Sequence, residues 1–82
     1  MATRIADFPR VTKMLLNLAR QSNLGGAQLA KKASISDEDW QALMAGRMPT
    51  PDELTRFAEV ISRRTGGAVD DITRGLAKAA AS

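Results

Sequence analysis

Apolar residues recur along the chain at intervals of three and four. Phe8, Val11, Met14, Leu15 and Leu18 form one stripe, the spacing of a helix that buries a single face. The pattern predicts a first helix from about Pro9 to Ser22, with proline tolerated in its opening turn and Asn23 as a left-handed stop. Leu24, Leu29, Ala30 and Ala33 mark a short second helix that begins near Gly25–Gly26. Ser36 opens a third, three residues before Asp39, and acids in the first turn suit the positive end of the helix dipole. Trp40 and Leu43 share its inner face, with Trp40 expected to be buried where the first, third and fourth helices meet. Gly46 ends it.

The strongest local signal is Thr50-Pro51-Asp52-Glu53. It combines a capping hydroxyl, proline at the first helical position and a glutamate three residues after the cap. Leu54, Phe57, Ala58 and Ile61 give that fourth helix its apolar face, and Gly66–Gly67 stop it. Arg63 and Arg64 are most simply a charge pair matched to its C-terminal end. A fifth helix is predicted over about 69–80, where Val69, Ile72 and Leu76 make a short stripe. That stripe serves either self-association, giving a homodimer, or cover for the first helix of the same chain. No run alternates with period two. The expectation is an all-α, compact five-helix fold, a single domain over 1–82 with its core at about 9–64.

Composition narrows the chemistry. Of 82 residues, 44% are hydrophobic and 26% charged, ordinary globular values that argue against wholesale disorder. Cysteine and histidine are both absent. Disulfides, thiol catalysis, the commonest general base and the commonest metal ligands are therefore excluded. No calcium-loop spacing of carboxylates is present either. No catalytic residue, metal or cofactor is expected. No apolar run approaches the ~20 residues of a membrane span, and the start lacks a secretory-signal pattern, so a cytoplasmic location is expected. The formal net charge is +3, mildly favourable to a polyanionic partner. Its distribution matters more. Arg4, Arg10, Lys13, Arg20, Lys31 and Lys32 face only Asp7 in residues 1–35, whereas acids outnumber bases in residues 36–82.

The stretch from Leu24 to Ile61 resembles the lambda-repressor/Cro-like (XRE-type) helix-turn-helix family. The residues that carry the resemblance are Leu24, Leu29-Ala30, Ser36, Gly46, Pro49-Thr50, Leu54, Phe57, Ala58 and Ile61. The combined spacing, rather than any single residue, is what matches. It also suits the contacts between two helices joined by a short turn, and the small Ala30 and Ala33 permit close crossing. Where family members often carry a buried Arg–Glu pair between the first and third helices, this chain has Ala19 and Met44. Losing both partners leaves no unpaired buried charge, so the resemblance implies an apolar version of the same fold.

The resemblance further implies a DNA-binding transcription regulator whose third helix enters the major groove. Candidate contacts are Gly26, Gln28, Lys31, Lys32, Ser36, Asp37, Glu38, Gln41 and Arg47, the last matching a position that often touches phosphate in the family. Two features depart from the pattern: Ser34 replaces the usual turn glycine, and Gly26 stands where a glutamine is usual. The acids Asp37 and Glu38 oppose the phosphate field of a duplex, although a carboxylate accepts a hydrogen bond from cytosine N4. As a purely structural feature, Asp37-Glu38-Asp39 is a helix cap. The alternative function is a protein-interaction module whose acidic third helix binds a basic protein surface instead of double-stranded DNA.

Overall fold

The helix ends are set by short-range chemistry. The computed structural model describes residues 9–81 and carries α1 (Arg10–Gln21), α2 (Gly26–Lys32), α3 (Asp37–Met44), α4 (Pro51–Thr65) and α5 (Val69–Ala80). At the start of α4, Thr50 Oγ1 accepts from the Glu53 N–H at 3.2 Å and Glu53 Oε1 accepts from the Thr50 N–H at 2.9 Å. Two otherwise orphaned donors are thus satisfied reciprocally. Gly66 ends the same helix at φ 81°. Ser36 Oγ caps α3 by accepting from the Asp39 N–H at 3.1 Å. Asn23 leaves α1 at φ 60°, the expected left-handed stop, and Ser34 turns the chain between α2 and α3 at φ 62°. Among the described residues there is no strand, so the fold is all-α.

All five helices contribute to one hydrophobic cluster. Val11, Leu15 and Ala19 of α1 meet Leu29 and Ala30 of α2, Leu43 of α3, Leu54, Phe57, Ala58 and Ile61 of α4, and Leu76 of α5. Val60 joins them although the predicted stripe omitted it. Phe8, Arg4 and Asp7 lie outside the described residues. Ala19 is buried and Met44 packs against the cluster, so both positions that could have held a buried ion pair are apolar. The α5 stripe is turned inward: α5 packs on α4 and α1, Leu76 is fully buried, and Val69 and Ile72 lean on the same core. Of its two predicted roles, the structure shows cover of the same chain. Among the described residues, no helix is long and apolar enough to cross a membrane.

Trp40 differs from expectation. It is half-buried rather than buried, and α2 belongs to its junction. The indole meets Phe57 edge-on, with ring centroids 6.5 Å apart and an interplanar angle of 63°. It also lies over Gly26, where a Cβ would stand 2.8 Å from Trp40 Cζ2 and 3.0 Å from Leu16 Cδ2. The glycine at the start of α2 is therefore explained by space, because the indole occupies the volume a side chain would need. The indole therefore packs against the core from its side without being enclosed by it.

Candidate nucleic-acid interface

Helices α2 and α3 are joined by residues 33–36, and three contacts fix that turn. The Ile35 N–H donates to Ala30 O at 2.9 Å, the Ile35 side chain is buried, and Arg56 Nη1 of α4 donates to Ser34 O at 3.3 Å. With the turn held, the first turn of α3 projects outward. Ser36, Asp37, Glu38, Asp39 and Gln41 are all exposed. Among the described residues, Asp37 and Glu38 have no ion-pair partner, while Asp39 Oδ1 lies 4.0 Å from Arg47 Nη2. The exposed turn presents a hydroxyl, three carboxylates and an amide, mostly hydrogen-bond acceptors.

The other predicted contacts divide. Lys31 and Lys32 are exposed in the last turn of α2 and have no ion-pair partner among the described residues. Gln28 turns back on its own helix, where its Oε1 accepts from the Gly25 N–H at 2.9 Å. Gly26 has Trp40 and Leu16 against the side where its Cβ would stand.

Arg47 is half-buried and bonded to its own chain. Its guanidinium grips Glu53 with two hydrogen bonds, Nη1 to Oε1 at 3.1 Å and Nη2 to Oε2 at 2.8 Å, and Nη1 also donates to Met48 O at 3.2 Å. This fork geometry is the strong form of a charge pair. The hydrogen bond from Arg47 holds the Glu53 carboxyl below its ordinary range, against partial burial that pushes the other way, and Thr50 adds to the lowering. The same bond pushes the Arg47 guanidinium up.

The structure also assembles a feature that no short sequence pattern announced. Lys32 of α2 stands across a cleft of about 450 Å³ from Arg56, Glu59, Val60 and Arg63 of α4, with Ala33 and Ser34 closing one wall. Arg64 lines the adjoining hollow with Lys32 and Arg63, while its Nε donates to Ser22 O at 3.0 Å. The available signal was the spacing Arg56, Glu59, Val60, Arg63, which places four side chains on one helical face. Its meaning depended on Lys32 arriving opposite. Among the described residues, no cluster of three or more carboxylates is placed to hold a metal ion. Comparison with known proteins gives no match to any family model, curated protein or solved structure.

Proposed function

We propose that the chain is a small cytoplasmic helix-turn-helix protein that binds double-stranded DNA and regulates transcription, with α3 as the helix that meets the major groove. The observation that carries this reading is the exposed first turn of α3, held on a fixed frame by buried Ile35, half-buried Trp40 and the Arg56–Ser34 bond. A major groove about 12 Å wide admits one helix. In it, Ser36 and Gln41 supply adaptable hydrogen bonding, and Asp37 and Glu38 accept from exocyclic amino groups such as cytosine N4. Two carboxylates near a duplex reduce non-specific attraction, so affinity depends on cations outside this turn.

A second reading is favoured by those same carboxylates. Asp37 and Glu38 are exposed without an internal cation among the described residues, which suits a basic protein surface as partner. Titration with random-sequence duplex DNA at two salt concentrations separates the readings. Affinity that falls steeply with salt supports DNA binding; no retention at low salt overturns it in favour of the protein partner.

A further inference from the structure

We propose that the cleft between α2 and α4 is a phosphate site that receives the sugar–phosphate backbone of double-stranded DNA through Lys32, Arg56 and Arg63. The inference rests on the DNA-binding reading and assigns the cations that α3 itself lacks. Three cations face the cleft against one carboxylate, Glu59. Lys32 and Arg63 have no ion-pair partner among the described residues, and Arg56 shares its charge with exposed Asp52 at 3.1 Å.

The position of Glu59 selects the ligand. It lies between Arg56 and Arg63 on the same face of α4, so it repels a lone anion at the middle of the cleft and leaves two cationic ends. Those ends are seven residues apart, about 10 Å at ~1.5 Å per residue. That separation exceeds what one phosphate group spans, so the two ends suit neighbouring phosphates of one strand rather than a single anion. An extended row of phosphates can therefore touch both ends while passing the carboxylate. The guanidinium fork of Arg63 suits phosphate oxygens, Arg56 brings its Nη2 beside its bonds to Ser34 O and Asp52, and Lys32 adds a point charge from the opposite wall. Ser34, in that wall, leads within three residues to Asp37, so the acidic turn borders the cleft along the chain.

The test is a salt series of duplex-DNA titrations on the full chain, followed by fluorescence anisotropy. The double variant Lys32→Ala/Arg63→Ala is expected to keep its melting temperature and to flatten the slope of log K against log salt by about two. Lys32→Arg/Arg63→Lys should restore the slope, and Lys13→Ala on α1 should leave it unchanged. A wild-type chain that binds duplex with the same slope as the double variant overturns the cleft assignment while DNA binding stands. A wild-type chain that binds no duplex at low salt overturns both, and capture of polyglutamate in that case assigns the cleft to acidic protein instead.

Discussion

Arg47 and Glu53 form a two-bond ion pair, at 3.1 and 2.8 Å, that fastens the loop after α3 to the first turn of α4. Glu53 simultaneously completes the Thr50 cap, so one carboxylate serves the loop and the helix start together. Arg47→Ala is therefore expected to act on stability. Removing charge-assisted bonds to a largely covered carboxylate should cost about 1.5–3 kcal/mol, and in a domain of this size each kcal/mol lowers Tm by about 4–8 °C. If Arg47 served mainly as a phosphate contact, Tm would hold and the DNA salt slope would flatten by about one.

The same pair sets a pH dependence. The folded-state carboxyl of Glu53 is held below its ordinary value. Its contribution is therefore fully present above about pH 4.3, the usual glutamate value. It is lost as pH falls through the lowered folded value. Thermal unfolding followed from pH 7 to pH 2 should show wild type and Arg47→Ala converging in acid. A constant gap between the two curves would contradict this account.

Gly26 and Trp40 give a prediction whose sign is decisive. Helix propensity alone favours alanine over glycine by up to about 1 kcal/mol. Here a Cβ would meet Trp40 Cζ2 at 2.8 Å, and overpacking costs about 1–3 kcal/mol. Gly26→Ala should destabilise, and a double-mutant cycle with Trp40→Leu should show coupling between the sites. Stabilisation by Gly26→Ala would show that the indole yields without cost.

Much of the fold was legible because its signals are local. The Thr50–Glu53 cap, the Ser36 cap and the Asn23 stop each depend on residues within a turn of one another, and the inward stripes repeat at helical spacing. The spacing of Trp40 with Leu43 points inward and predicts burial, but the depth of the indole depends on where α2 crosses. Arg47 finds Glu53 six residues away, across a loop pinned by buried Pro49, a separation that no helical rule pairs. The cleft needs Lys32 and Arg63, thirty-one positions apart, to converge through tertiary packing.

The C-terminal helix is expected to be part of the core. Leu76 is fully buried between α1 and α4, so Leu76→Ala should cost about 2–5 kcal/mol. Chemical denaturation of the variant checks this. A truncation after Gly67 that changed sedimentation alone, with unfolding unaltered, would assign α5 to self-association.

The acidic turn separates the two functional readings. With α3 facing a duplex, Asp37→Asn/Glu38→Gln removes two repulsive charges, and affinity for random DNA should rise. If either acid reads cytosine, preference at one defined position should relax as well. Loss of capture by a basic protein, with DNA affinity negligible before and after, would support the protein-binding reading.

The most direct test of DNA binding through this face is an amide chemical-shift titration of the full chain with a random-sequence duplex at low salt. The account predicts perturbations concentrated at residues 36–41 of the exposed α3 turn and along the cleft at Lys32, Arg56 and Arg63, fading as salt is raised. Spectra that do not change, or changes confined to α1 and α5, would contradict it.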